Sequence, residues 1–416
     1  MGKKLDIGVN NVARKGKKGW LGVDDVAHKI KKMWVGDDNG KARLFFRDGL
    51  PLYLALVADN GRYYLALGNH EKVRLLKKAS TTKFVSIAYG DGKLFAGEYH
   101  NGESYRGTYH YSTDVINWTK TRNSNLHPVT GTQNACFVDG VFYVFLGSTS
   151  VYISTDLLTW TKKGTMSGRA GSPAKLEQVI YFGGYFFART SYDVSYQVYG
   201  EVLYSKDGLS WTRLVEMLVS PICNIVPLSV DSSGAVWIAL QEGQMEGYTG
   251  NKYYDYCYKI TDKTIELCGS LEYSTDSSYY SFVRRGCCGK NKYVSIWGGW
   301  QRNICVLERN ADGSWDFSTD KALMIGWKDV IGKTTPEEIY SDILFIGDTF
   351  IIPTDRSITD ERHSFYSNDG ISWTLGKAQS YDPIDGTADS YGFQIADHTA
   401  IDIGEMYTDE IGVLLE

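Results

Sequence analysis

Ser and Asp two residues apart, followed by Trp, recur along this chain. The pattern Ser-x-Asp-x-x-x-Trp stands at Ser112, Asp114 and Trp118, at Ser154, Asp156 and Trp160, at Ser205, Asp207 and Trp211, and at Ser367, Asp369 and Trp373. A shortened copy runs through Asn310, Asp312 and Trp315, and a degenerate one without Trp lies at Thr261-Asp262. Carboxylates repeated at fixed spacing invite an acid–base reading, but their company argues against it. Ser and Asp side chains hydrogen-bond amides two residues on and hold tight turns, and a Trp ring packs on neighbouring strands. The motif therefore reads as structural, and no catalytic residue is assigned.

A second group of residues suits binding. Tyr99, Tyr105, Arg106, Tyr192, Tyr196, Tyr248, Trp300, Arg302, Asp355 and Arg356 fall in five segments read as long loops: Glu98–Arg106, Thr190–Gly200, Glu242–Tyr254, Gly298–Asn303 and Asp355–Ser364. Loops on a rigid scaffold are where function concentrates. Ring faces with nearby acids and guanidinium groups suit a sugar, whose C–H face packs on the ring while its hydroxyls are fixed by polar atoms. Other chemistry has no motif to carry it: there is no HExxH, P-loop or Gly-x-Ser-x-Gly elbow. Asp255, Asp262 and Asp276 lack the spacing of a calcium loop. No metal and no cofactor is expected. The seven Cys are odd in number and lack a CxxC pair, so free thiols are expected, although Cys257 and Cys268 could meet across a hairpin.

The elements that must position these residues are strands. From about residue 80 a second signature alternates with the first: an apolar run, a Gly/Asp turn and another apolar run. It appears around Asp91-Gly92, Asp139-Gly140, Gly183-Gly184, Ser232-Ser233-Gly234, Lys290-Asn291 and Gly347-Asp348. Short, nearly continuous apolar runs are those of strands buried on both faces. Two hairpins make a four-stranded antiparallel unit, and six such units run from about 83 to 377. A shorter unit at 391–415, with turns near Asp397 and Asp409, and the strands of 52–78 around Asp59-Asn60-Gly61 complete the set. One unit cannot hide both of its faces, so units pack radially. The fold expected is all-β: a β-propeller of seven four-stranded blades over residues 47–416, whose closing blade is shared by the N- and C-terminal strands. The aromatic content of 14% and the 44 Gly fit a fold of strands and tight turns.

Residues 1–46 form a separate module. Ile7-Gly8-Val9 recurs as Leu21-Gly22-Val23 and as Val35-Gly36-Asp37, with Trp20 and Trp34 in equivalent places. Each repeat reads as strand, polar turn, strand, a small β-hairpin module with too little apolar area to stand without a partner surface. It is rich in Lys and Arg, whereas the rest of the chain is acidic, and the net charge is −5. An acidic total argues against a nucleic-acid partner. No run approaches the ~20 apolar residues of a membrane span, so no membrane insertion is expected.

Two resemblances follow from these motifs. The Ser-x-Asp-x-x-x-Trp turn is similar to the Asp-box (BNR repeat) of sialidase-like propellers, which sits between the third and fourth strands of a blade. Its Asp-to-Trp spacing here is one residue shorter than in that family. Membership would imply an Arg cluster and a Tyr nucleophile. The family's first Arg lies in a Phe/Tyr-Arg-Ile-Pro motif, and the nearest match, Phe46-Arg47-Asp48, lacks Ile-Pro. The N-terminal segment resembles the IGVNNVARKxKKxW-type repeats near the ends of tail proteins of phages and prophages of Gram-positive hosts. That resemblance implies a viral protein of the virion, made in the bacterial cytoplasm. It would dock to other tail or baseplate proteins through its repeats, form a homo-oligomer, and bind a host surface glycan or cell-wall polymer for host attachment. A purely structural tail protein and a sialidase-like glycoside hydrolase are the competing expectations.

Overall fold

The computed structural model describes residues 20–411 apart from a set of connecting segments, the longer of which are 100–106, 243–251, 275–284, 327–342, 354–361 and 380–393; its side chains are described from Leu52 onward. The backbone of the N-terminal module forms two hairpins, Trp20–Val23 with Val26–Lys29 and Lys32–Gly36 with Ala42–Arg47.

Beyond it, seven antiparallel blades form a ring, a seven-bladed β-propeller. Blade 2 comprises Lys83–Gly90, Lys93–Tyr99, Thr108–Ser112 and Thr119–Arg122. Blade 3 comprises Gln133–Val138, Val141–Leu146, Ser150–Ser154 and Thr161–Thr165, and blade 4 Lys175–Phe182, Tyr185–Val194, Gln197–Ser205 and Thr212–Met217. Blade 5 comprises Ile222–Val230, Val236–Glu242, Lys252–Ile260 and Ile265–Ser274, and blade 6 Arg285–Gly289, Lys292–Trp297, Asn303–Glu308 and Leu323–Gly326. Blade 7 comprises Leu344–Ile346, Thr349–Pro353, Arg362–Ser367 and Thr374–Gln379. Blade 1 closes the ring with Tyr53–Asp59, Arg62–Gly68 and Val73–Lys78, and its innermost strand comes from the far end of the chain. The 391–415 segment does not form the hairpin unit read from the sequence. Gln394–Ile395 and Ile401–Asp402 both pair with Tyr53–Asp59 as one interrupted strand. Asp397 and Asp409 lie outside the described residues.

Strand direction alternates within a blade, so the first and third hairpin turns fall at one end and the second at the other. The first turns are two-residue connections with positive φ at both positions in Asp91-Gly92, Asp139-Gly140, Gly183-Gly184, Lys290-Asn291 and Gly347-Asp348. That backbone twist matches the twist of paired strands, which is why Asn, Asp and Gly collect there. The Ser-x-Asp motifs lie at the same end, between third and fourth strands. This is the turn end; the opposite is the loop end. The chain enters the propeller at the turn end, because Tyr53–Asp59 is the second strand of its blade and runs toward the loop end. The last described strand also leaves there, where the Ile403 amide donates to the Leu52 carbonyl at 3.0 Å.

The core is divided among the joints between blades, one apolar cluster to each of the seven. The cluster joining blades 7 and 1 holds Leu344, Ile346 and Ile351 against Tyr53, Tyr64 and Leu75, so the ring is sealed by packing as well as by strand pairing. Gly90 and Gly289 end the innermost strands of blades 2 and 6, and a Cβ at either would overlap the ring of Phe137 or Phe345 in the next blade.

Candidate functional site

The Ser-x-Asp turns share one geometry. In blades 2, 3, 4 and 7 the Ser Oγ lies 2.9–3.1 Å from the Asp Oδ1. The same Oδ1 accepts the amides two and three residues on, as Asp207 does from Leu209 and Ser210 at 2.7 Å each. Burial works against the charge on Asp207, but those amides and the Ser205 hydroxyl outweigh it and hold the carboxyl down at about 2. The amides of Thr159 and Leu158 bring Asp156 to about 2 as well. Each carboxylate is consumed by its own turn.

The residue after each Asp adopts positive φ: Val115 at 71°, Leu157 at 64°, Gly208 at 73° and Gly370 at 75°. Such a φ costs about 1–2 kcal/mol for a residue with a Cβ. Val115 and Leu157 tolerate it because their side chains are wholly buried in the joint with the preceding blade, a burial that returns about 1.5–3 kcal/mol. Trp160 and Trp211 are buried in the corresponding joints; Trp118 and Trp373 are half-buried against theirs. The indole N–H of Trp211 donates to the Gly208 carbonyl at 3.1 Å. In blade 3 the Leu157 carbonyl instead accepts the Tyr109 hydroxyl of blade 2, at 2.6 Å. In blade 6, Asp312 caps Ser314, and Trp315 reaches across the joint to donate to Ser229 Oγ at 2.9 Å.

The described polar groups that are not spent on turns form a buried chain through blades 4, 5 and 6. Gln178 Nε2 donates to Asn224 Oδ1 (3.3 Å), Asn224 Nδ2 to Gln241 Oε1 (3.0 Å), and Gln241 Nε2 to the Tyr293 hydroxyl (3.0 Å). The hydroxyls of Tyr293 and Tyr273 then both donate to Asp255 Oδ2, at 2.7 and 2.8 Å. Ser295 Oγ lies 3.3 Å from the Tyr273 hydroxyl. Desolvation, and after it the neighbouring Asp255, push both phenols well above their ordinary range, so neither is a nucleophile near neutral pH. Asp255 is 1% exposed. The cluster ties strands together, and Gln241, Asp255 and Tyr273 sit in the loop-end halves of theirs. Acidic side chains in other blades are paired as well. His110 Nε2 lies 3.1 Å from Glu98 Oε1 in blade 2, and Arg213 Nε donates to Glu201 Oε1 in blade 4.

Each of the five segments read as loops includes strand residues at one or both of its ends. Tyr99 is the last residue of a strand. Tyr192 lies within Tyr185–Val194 and pairs with Tyr199, so the hairpin of blade 4 continues through most of Thr190–Gly200. Aromatic and β-branched residues at paired positions extend the ladder there. Tyr105, Arg106, Tyr196, Tyr248, Trp300, Arg302, Asp355 and Arg356 lie outside the described residues. The buried chain was missed in the sequence, although Asp255 among Tyr253, Tyr254, Tyr256 and Tyr258 carries a signal: a buried polar residue is informative where a buried apolar one is not. Among the described residues no group of three or more His, Cys, Asp or Glu side chains is placed to hold a metal ion. Cys257 faces Gly269, with Cys268 in the adjoining β-bulge, and these two thiols are free.

No family model matches the chain, and no curated protein does. Solved structures with a similar arrangement include a thermostable family-43 glycoside hydrolase, 15% identical, covering 61% of this chain and 95% of that one at a TM-score of 0.31. YCF48 from Cyanidioschyzon merolae is 13% identical and covers 67% and 94% at 0.38. An α-L-arabinanase from Penicillium chrysogenum, complexed with arabinobiose, is 12% identical and covers 65% and 88% at 0.38. At such identities and scores the likeness carries no information about chemistry.

Proposed function

We propose that this chain is a phage tail component whose propeller presents its loop end to a host surface glycan or cell-wall polymer. One observation supports this orientation above the rest. The N-terminal module joins the propeller at Leu52, on the turn end, and the described C-terminal strand leaves on the same side. The loop end, where the sequence concentrates Tyr105, Tyr196, Tyr248, Trp300 and Arg302, therefore points away from the point of attachment. The buried chain through Asp255 ties together strands of blades 4, 5 and 6, and a stiff base lowers the entropy lost on binding. The N-terminal repeats, in this reading, dock to other tail or baseplate proteins. A homo-oligomer then multiplies weak sugar contacts.

The test is binding of the full-length chain to intact Gram-positive cells and to their isolated wall polysaccharides, with released reducing sugar assayed in the same samples. Saturable binding that free polysaccharide competes away, without sugar release, is the expected result. Sugar release would move the protein to the glycoside hydrolases. An absence of binding across a broad host panel would leave a structural tail protein.

A further inference from the structure

We propose that the turn end of the propeller is the docking surface for the chain's own N-terminal module, residues 1–47. Large apolar side chains stand exposed on this surface beside its polar turns. Among the described residues, the exposed large hydrophobics lie at this end: Leu158 in a Ser-x-Asp turn, Val230 at the close of an innermost strand, and Ile265, Leu267, Leu323, Met324 and Leu375 within the first three residues of outer strands. Leu158 and Leu267 are 56% and 54% exposed. Exposed apolar groups of this size gain free energy when a partner removes them from water.

The occupant follows from where the chain goes and from charge. Only residues 48–51 separate the last strand of the module from Leu52 at the turn end. Four extended residues reach at most ~14 Å, so the module is held beside this surface at high effective concentration. Residues 1–47 hold 12 Lys and Arg against 5 Asp and Glu, whereas residues 48–416 hold 32 against 44. Acidic groups recur at the turn end, where Lys93, Lys206 and Lys290 are already held by neighbouring acceptors. Asp91, Asp139 and Asp348 stand exposed in the first turns, and the amides of the Ser-x-Asp turns keep Asp156 and Asp207 ionised. A basic module with Trp20 and Trp34 thus meets an acidic surface edged with leucine. The inference needs no phage origin and no glycan, and it leaves the outer strand edges of the module for the tail or baseplate contact proposed above.

Zero-length carbodiimide cross-linking of the full-length chain tests it, using an equal mixture of ¹⁴N- and ¹⁵N-labelled protein and peptide mass spectrometry. The expected links join lysines of residues 1–47 to turn-end carboxyls such as Asp91, Asp139 and Asp348, in isotopically pure pairs. The triple variant Asp91→Asn, Asp139→Asn, Asp348→Asn keeps residues that tolerate positive φ, so the turns survive. It should cut links to the remaining turn-end carboxyls about threefold, as should raising the salt to about 0.5 M. Mixed-isotope pairs would assign the surface to a second copy and overturn the proposal. Links confined to loop-end carboxyls, or none from the module to the propeller, would overturn it as well.

Discussion

The joint between blades 3 and 4 and the joint between blades 4 and 5 solve one packing problem in two ways. In the first, Trp211 wedges between the blades against Phe145, and the backbone adds a clasp in which the Ser167 amide donates to the Leu209 carbonyl and the Trp211 amide to the Ser167 carbonyl. In the second, the turn has lost its Trp. Asp262 accepts from the Tyr185 hydroxyl and from Lys206 at the surface, and Gln178 crosses to Asn224 and to the amide of Ile225 inside. An aromatic wedge depends on area removed from water and is indifferent to salt and pH. A polar clasp depends on geometry and on the medium. The propeller tolerates the exchange because the other joints keep the ring in register, and the weakened wedge falls where the buried polar chain begins.

The largest effect that separates the two designs is Trp211→Ala, expected to cost about 4 kcal/mol for loss of a buried indole and to lower the urea midpoint without changing its slope. Asp255→Ala comes next, at about 3 kcal/mol, because two buried phenols lose their acceptor; Asp255→Asn, which keeps an acceptor oxygen, should cost less by the same measurement. Asp207→Ala should cost about 2 kcal/mol through its freed amides, and it carries a pH signature. Asp207 sits at about 2 in the folded chain and near 3.9 when unfolded. Its contribution is therefore complete above about pH 4 and is lost as pH falls toward about 2. The variant should show a shallower loss of stability across that window. Asp262→Ala is the smallest. With Lys206 and Asp262 largely exposed, its effect should be measurable in low salt and vanish in high salt. A salt-independent loss at Asp262 would break the contrast between the joints.

The blade number was legible because the first turns of six blades carry Gly, Asp or Asn and the third turns of blades 2, 3, 4 and 7 carry Ser and Asp. Positive φ is a local demand, and local demands are written in adjacent residues. The Gly at positions 208 and 370 was visible, but the same backbone at Val115 and Leu157 was not, since burial compensates for the strain and burial is a property of the neighbouring blade. For the same reason Gln178, Asn224 and Gln241 read as ordinary strand residues until the strands that cover them were in place. The extent of the blade 4 hairpin was misjudged because Tyr192 and Tyr199 were weighed as loop aromatics rather than as a cross-strand pair.

The interrupted strand that closes blade 1 has a consequence for how the ring is made. Tyr53–Asp59 takes its inner partner from Gln394–Ile395 and Ile401–Asp402, almost the whole length of the propeller later. As the chain leaves the ribosome, blades 2 to 7 can assemble in turn through neighbour contacts, but the closing sheet waits with an open edge until residues 394–402 have been made. Contacts so distant along the chain form slowly, and an unpaired edge held open that long is where misassembly between nascent chains begins.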